Sequence, residues 1–76
     1  MALRIMLIDD SEADRLYTRI VLERSGAARE VLEYEYARDA LADLSHGGIA
    51  VDLILLDINM PGMDGFEFLD AYQQVL

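Results

Sequence analysis

Two runs of consecutive apolar residues dominate the hydrophobic pattern of the chain. Residues 5–8 and Leu53–Leu56 contain no polar side chain, which is typical of strands covered on both faces of a parallel sheet. Between them, Glu30 to Ala37 alternates apolar and acidic side chains, which indicates an edge strand with one face partly open to water. The pattern therefore predicts three strands: Leu3–Ile8, Glu30 to Ala37 and Leu53–Leu56.

A segment with helical periodicity follows the first strand. Ser11, with Asp14 three residues later, resembles a capping box at the start of a helix, and Gly26 ends that helix. Its apolar face is formed by Ala13, Leu16 and Ile20. The basic residues expected on its solvated face, paired with neighbouring acids, are Arg15, Arg19 and Arg24.

Two further helices follow the second and third strands. One is predicted from Arg38 to His46, with Gly47-Gly48 ending it. The other is predicted from Gly65 to Leu76, with Asp64 placed to cap its first turn. The apolar face of this last helix is formed by Phe68, Leu69, Tyr72 and Leu76.

The resulting βαβαβα order predicts a single α/β domain over residues 1–76, with a parallel sheet and right-handed crossovers. Two strongly apolar strands and one half-polar strand favour the spatial order 2-1-3, with the first strand in the middle. Right-handed crossovers then place the first two helices on opposite faces of the sheet.

Acidic residues follow both apolar strands. Asp9 and Asp10 come directly after the first strand and Asp57 directly after the third. The sheet order reverses between these two strands, and ligands of open α/β sheets bind at the carboxyl ends of such strands. The three carboxylates should therefore converge, and close carboxylates require a cation, a shared proton or water. Hard oxygen ligands suit Mg²⁺ or Mn²⁺ and indicate phosphoryl transfer, in which a carboxylate can also be the nucleophile.

Composition narrows the classes of partner. The net charge of −9 argues against nucleic acid and anionic membranes as direct partners. All six basic residues are Arg, and the sequence contains no Lys. The absence of cysteine fits a cytoplasmic protein, and the apolar runs are far too short to span a bilayer.

The segments Leu7 to Asp10 and Leu55 to Gly65 together resemble the receiver domain of two-component response regulators. The resemblance covers essentially the whole chain and implies a flavodoxin-like (βα)5 fold. It implies that Asp57 accepts a phosphoryl group from a sensor histidine kinase or phosphotransfer protein. It also implies that Asp10 and Asp57 bind Mg²⁺ directly, that Asp9 helps through water, and that Asn59 contributes its backbone carbonyl.

The chain departs from the receiver pattern after its third βα unit. A receiver also uses a Ser or Thr at the end of strand 4 and a Lys at the end of strand 5, and neither has a counterpart here. We therefore expect a C-terminally truncated receiver that binds Mg²⁺ weakly, is poorly phosphorylated and is not itself an enzyme. Strand 3 would then be an apolar edge, which predicts a homodimer that forms through it.

Other interpretations remain beside the receiver. The acids and Asn59 are also ordinary turn-forming residues, and the chain is alternatively a non-catalytic dimerisation module that is not phosphorylated. A Ca²⁺ loop starting at Asp57 is rejected, because Pro61 takes its fifth position and Phe68 stands where the bidentate Glu belongs. A metal-dependent phosphatase is disfavoured, since Asn59 stands where a second acid is needed.

Overall fold

Three parallel strands and three helices alternate along the chain. The computed structural model describes residues 2–47, 49–57 and 64–75. Within them the elements are β1 (Leu3–Ile8), α1 (Glu12–Arg24), β2 (Ala28–Tyr34), α2 (Ala37–Ser45), β3 (Leu53–Leu56) and α3 (Gly65–Val75). The strands form one sheet in the order β2-β1-β3, and β1 pairs in parallel with both neighbours. The predicted α/β class and the strand order 2-1-3 are confirmed.

The core is centred on β1, whose side chains alternate between the two faces of the sheet. On one face Met6 and Ile8 are completely buried and pack with Ala37 and Ala40 of α2 and with Phe68 of α3. On the other face the buried side chains of β1 are Ile5 and Leu7. The central strand is therefore the most completely buried element among the described residues.

The second strand begins and ends earlier than the alternating pattern predicted. β2 spans Ala28–Tyr34 instead of Glu30 to Ala37. The backbone amide of Leu3 bonds to the carbonyl of Ala27, which starts the pairing of β1 and β2 at that point. Ala37 instead opens α2, where its small side chain is buried against the sheet. The pairing of β2 with β1 sets this boundary, and the alternation of apolar and acidic residues does not specify that pairing.

The helix starts match their sequence signals closely. The Ser11 hydroxyl accepts a hydrogen bond from the Asp14 amide at 3.3 Å, as the capping pattern predicted. The Asp64 carboxylate accepts from the Glu67 amide at 2.8 Å, and the Glu67 carboxylate accepts from the Asp64 amide at 3.4 Å. This reciprocal pair is a capping box that fixes the start of α3.

Two apolar surfaces are more exposed than the periodicity predicted. None of the residues of α1, all of which the structure describes, is fully buried, and Leu16 is 47% exposed. On α3, Phe68 is buried but Leu69 is 50% exposed. The predicted two-sided cover of β3 is also incomplete, because none of its four residues is fully buried and Leu53 is 41% exposed. The described residues thus leave apolar side chains of α1, β3 and α3 exposed.

None of the helices in the described ranges has the length and apolar character needed to cross a bilayer.

Candidate functional site

The three acids predicted to converge do meet at one end of the sheet. Asp9, Asp10 and Asp57 each offer a carboxylate oxygen, and these oxygens all lie within 4.8 Å of one another. Asp9 and Asp57 are half-buried, whereas Asp10 is exposed. The expected convergence of distant acids is thus confirmed, while their roles as metal ligands and phosphoacceptor stay predictions. Asn59, the fourth predicted ligand, lies outside the described residues.

Backbone hydrogen bonds hold two of the acids just beyond the strand ends. The Asp9 amide donates to the carbonyl of Tyr34 at 3.1 Å, which extends the pairing of β1 with β2. The Asp57 amide donates to the carbonyl of Ile8 at 3.0 Å, which extends the pairing of β3 with β1. The Asp9 main chain is therefore fixed to β2 and the Asp57 main chain to β1, and the separation of their carboxylates follows from the sheet.

The Asp9 carboxylate is further oriented by the turn that follows it. Its Oδ1 accepts a hydrogen bond from the Ser11 amide at 2.9 Å. Ser11 is at the same time the N-cap of α1. The turn and the helix start thus share one hydrogen-bonded unit, so the direction of the Asp9 side chain depends on where α1 begins.

An arginine that the sequence placed on the solvated face of α1 lies at this turn. The Arg15 Nη1 donates to the backbone carbonyl of Asp9 at 2.6 Å, and its Nε lies 3.5 Å from Oε1 of Glu33 on β2. Arg19 bonds the other oxygen of Glu33 at 2.9 Å. The Arg15 side chain is only 13% exposed. Pairing with a neighbouring acid was expected, but its burial and its bond to Asp9 were not.

A groove leads from the acids along the face of the sheet on which α1 lies. Its volume is about 290 Å³, and it is lined by the ends of β1 and β3, by Thr18 of α1, and by Asp9 and Asp57. A small anion therefore has room to approach the acids from this side.

Two carboxylates about 4 Å apart repel by roughly 1–4 kcal/mol in partly wet surroundings, so this end of the sheet favours a bound cation.

The oxygen donors fit a hard divalent cation. Three carboxylates within reach of one point, one of them exposed, can supply part of an octahedral shell and leave positions for water and a phosphoryl oxygen. The described part of the chain brings no His to this cluster and has no Cys, so the donor set does not favour softer metals.

The outer side of β3 forms a second, apolar groove. It has a volume of about 330 Å³ and lies between β3, the residues that precede it, and α3, with Phe68, Leu69 and Tyr72 on the helix side. Leu53, at the start of β3, is 41% exposed. Among the described residues, β3 pairs only with β1, so its other backbone edge has no strand partner there.

On the opposite edge, β2 is tied to α2 by a tyrosine. The Tyr34 hydroxyl donates to the Asp43 carboxylate at 2.6 Å. Burial raises the pKa of Tyr34 to about 12, and the hydrogen bond and the charge of Asp43 act in the same direction. The hydrogen bond therefore gives the half-buried Tyr34 side chain a polar contact with α2.

The comparisons with known proteins all lead to the same family. The family model described as the response regulator receiver domain matches residues 5–75. A cyclic di-GMP phosphodiesterase response regulator from Xanthomonas campestris pv. campestris is 40% identical over 68 residues, which cover 90% of this chain and 18% of that protein.

Two crystal structures show the same fold. A response regulator receiver protein from Dyadobacter fermentans is 32% identical with a TM-score of 0.80, covering 93% of this chain and 56% of that one. The receiver domain of the histidine kinase CKI1 from Arabidopsis thaliana, complexed with Mg²⁺ and BeF3⁻, is 25% identical with a TM-score of 0.79, covering 96% and 56%. The chain thus spans less than two thirds of each of these relatives.

Proposed function

The chain belongs to the response regulator receiver domain family, and from that premise we propose that Asp57 accepts a phosphoryl group from the phosphohistidine of a sensor kinase or phosphotransfer protein. The observation that carries the proposal is the meeting of Asp9, Asp10 and Asp57 within 4.8 Å at the carboxyl ends of β1 and β3. Distant acids converge there because the strand order reverses at that point.

Asp57 is the acid that we propose as the nucleophile, because it follows the third strand, as in the receiver pattern. It is half-buried, lines the groove beside α1 and is fixed through its amide to the central strand. One of its carboxylate oxygens would bond to phosphorus while the bond from phosphorus to the histidine nitrogen breaks, and the proton needed by the leaving imidazole comes from solvent. Asp9 also lines the groove, and its Oδ1 accepts from the Ser11 amide.

Asp10 and Asp57 would hold Mg²⁺, or Mn²⁺, directly, with Asp9 acting through water and Asn59 through its backbone carbonyl. When bound, the ion would neutralise charge on the transferred oxygens. The receiver structure from Arabidopsis is described with Mg²⁺ and BeF3⁻, and the same combination is the natural probe for this chain. Within the described residues, these three carboxylates form a group that fits such an ion.

This 76-residue chain offers a reduced set of phosphate contacts. It has no Lys, and its hydroxyl residues do not occupy the strand-end positions that a receiver uses. We therefore expect weak Mg²⁺ binding and slow phosphorylation of the chain alone. Because it covers 18% of the phosphodiesterase relative, that protein's catalytic activity is not assigned to this domain, which acts as a phosphoacceptor.

Treatment with a small phosphodonor and Mg²⁺ tests the proposal. Mass spectrometry should show one adduct that is stable in acid and labile in base, and Asp57→Asn should abolish it. Asp70→Asn is the matched control, because Asp70 is an exposed acid of α3 away from the cluster, and it should leave the yield unchanged. An adduct that persists in Asp57→Asn would assign the phosphoacceptor to another residue. No adduct, together with no response to beryllofluoride, would favour the association module.

A second function, self-association, is favoured by the edge of β3. We propose that a second copy pairs with this edge, because an apolar strand of Leu53–Leu56 beside a groove of about 330 Å³ invites strand addition. Antiparallel pairing centred on the strand would set Asp52 opposite Asp57 of the second copy. Like charges across a strand pair repel, so added salt should strengthen the dimer.

Light scattering across a concentration series tests this association. The chain should form dimers at micromolar concentration, and Leu53→Lys should return it to a monomer by placing a charge on the edge. Val21→Lys is the matched control, since Val21 of α1 is exposed to a similar degree, 46% against 41% for Leu53. A wild-type chain that stays folded and monomeric would contradict the proposal.

A further inference from the structure

We infer that Arg15 is a positioning residue for the acidic site: it fixes the turn that carries Asp9 and Asp10 by clamping the Asp9 carbonyl to Glu33 of β2. The inference rests on the proposed function of the acids as a Mg²⁺ site. Arg15 is argued to act through two contacts, one with the backbone carbonyl of Asp9 and one with the Glu33 carboxylate.

The first argument is the placement of the two guanidinium contacts. One guanidinium nitrogen, Nη1, donates to the backbone carbonyl of Asp9 at 2.6 Å, while Nε lies 3.5 Å from the Glu33 carboxylate. A planar guanidinium offers donors in a rigid fork, so fixing one contact orients the other. The Asp9 carbonyl is therefore held relative to β2 and not only to its own strand.

The second argument is that the amide and the Oδ1 of Asp9 are engaged as well. Its amide donates to the Tyr34 carbonyl and its Oδ1 accepts from the Ser11 amide. The carbonyl bond to Arg15 completes this set and lies between Asp9 and the exposed Asp10. Rotation of the peptide that joins the two acids would break the Arg15 bond, so this bond restrains the direction in which Asp10 leaves the strand.

The third argument comes from burial and from the support of Glu33. The Arg15 side chain is 13% exposed, whereas that of Arg19 is 39% exposed. Glu33 is held from its far side by Arg19 at 2.9 Å, so the carboxylate that orients Arg15 is itself oriented. Outer partners of this kind, which fix the ligands of a metal, typically change metal affinity when they are removed.

Charge and geometry make different predictions for Arg15. If Arg15 acted only through its positive charge, a substitution that keeps the charge would leave Mg²⁺ binding unchanged. If Arg15 acts by fixing the turn, a substitution that keeps the charge but loses the fork should weaken Mg²⁺ binding. Arg15→Lys is that substitution, because an ammonium is a compact point donor that does not reproduce the planar fork.

The experiment compares Arg15→Lys with Arg24→Lys in the 76-residue chain. Arg24 lies in the last turn of the same helix, so the two variants have the same composition and net charge. Mg²⁺ is titrated while amide chemical shifts are followed by NMR. We expect Arg15→Lys to weaken the affinity by roughly 10-fold or more and Arg24→Lys to leave it unchanged. Glu33→Gln should weaken it in the same direction, because it removes the partner that orients Arg15.

A second readout works without metal. Hydrogen exchange of the Ser11 amide, which bonds to Asp9 Oδ1, should accelerate in Arg15→Lys by roughly five- to ten-fold, as the loss of one net hydrogen bond allows. The Ala27 amide, which bonds to Leu22 at the far end of α1, should keep its rate. Acceleration at both amides would reveal general destabilisation and overturn the inference, as would unchanged exchange at Ser11.

The titration separates this inference from the proposed function. A wild-type chain that binds Mg²⁺, with Arg15→Lys binding equally well, would overturn the positioning role alone. A wild-type chain whose acids do not respond to Mg²⁺ at all would overturn both. Weakened binding in Arg15→Lys with local loss of protection at Ser11 supports both.

Discussion

β2 and β3 both pair in parallel with β1, and within the described residues each leaves its outer backbone edge without a strand. β2 carries three charged side chains in seven residues, and two of them, Glu30 and Glu33, form ion pairs with arginines. β3 carries none in four residues, and its first residue, Leu53, is 41% exposed. Charged side chains discourage further strand pairing, whereas an apolar edge permits it.

The difference assigns a separate task to each edge. Glu33 of β2 connects through Arg15 to the turn that carries Asp9 and Asp10, so the polar edge supports the acidic site. Asp57 follows the end of β3, and the outer edge of β3 is where we propose that a second copy pairs. An uninterrupted apolar run therefore does not by itself report burial, since burial depends on how many neighbours the strand has.

The largest expected effect is on stability, when a substitution in the central strand β1 is compared with one in the edge strand β3. Leu7 of β1 is 4% exposed and Leu53 of β3 is 41% exposed. Leu7→Ala should lower the free energy of unfolding by about 3 kcal/mol because it opens a cavity in the core, and Leu53→Ala should lower it by about 1 kcal/mol or less. Urea unfolding of dilute protein measures both. Equal losses would mean that β3 is covered as fully as β1 in solution.

A smaller effect is expected at the charged edge. Glu33→Gln removes the carboxylate that Arg15 and Arg19 share, and with a side chain that is 27% exposed the loss should be about 1–2 kcal/mol. Glu35→Gln, at an exposed acid just beyond β2, should change stability by less than about 0.5 kcal/mol. If the two variants lose the same stability in urea unfolding, the ion pairs contribute nothing to the edge.

The smallest effect concerns the bond that joins β2 to α2. Tyr34→Phe removes the donor to Asp43 and should cost about 1 kcal/mol at neutral pH, while Tyr36→Phe, at an exposed ring, should cost little. The pKa of Tyr34 is raised from 10.0 to about 12, so the folded state keeps its proton where the unfolded chain loses it. Its contribution is complete below pH 10 and is lost as pH rises from about 10 to 12.

Chemical unfolding at several alkaline pH values checks the linkage. The wild-type chain and Tyr36→Phe should lose stability over that interval more steeply than Tyr34→Phe does. Parallel pH profiles for the wild-type chain and Tyr34→Phe would show that the bond to Asp43 is not formed in solution.

Much of the fold could be predicted because its pattern is strongly periodic. The apolar runs located β1 and β3, and Ser11 and Asp64 marked the starts of their helices correctly. The start of β2 was missed because the Leu3 amide sets it through a bond to a distant carbonyl. The exposure of Leu16 on α1 was missed because helical spacing identifies an apolar face but not what lies against it.

The candidate site was predictable to the extent that topology determines it. Parallel strands bring their carboxyl ends to one side, and that rule alone placed Asp9 and Asp10 beside Asp57. The role of Arg15 was not predictable, because it depends on how α1 is rotated over β2, and the sequence does not specify that angle. The sequence feature that could have indicated this contact was Glu33, an acid on the polar side of a strand that follows an arginine-bearing helix. The dimer remains a prediction.

The central claim is that three carboxylates are held together against their mutual repulsion so that a divalent cation can bind among them. The most direct measurement is the free energy of unfolding of the wild-type chain and of Asp10→Asn, each with EDTA and with millimolar Mg²⁺. Mg²⁺ should stabilise the wild-type chain, whereas Asp10→Asn should be the more stable protein in EDTA, by up to about 1 kcal/mol, and should gain little from Mg²⁺. A wild-type chain indifferent to Mg²⁺, with Asp10→Asn no more stable in EDTA, would contradict the account.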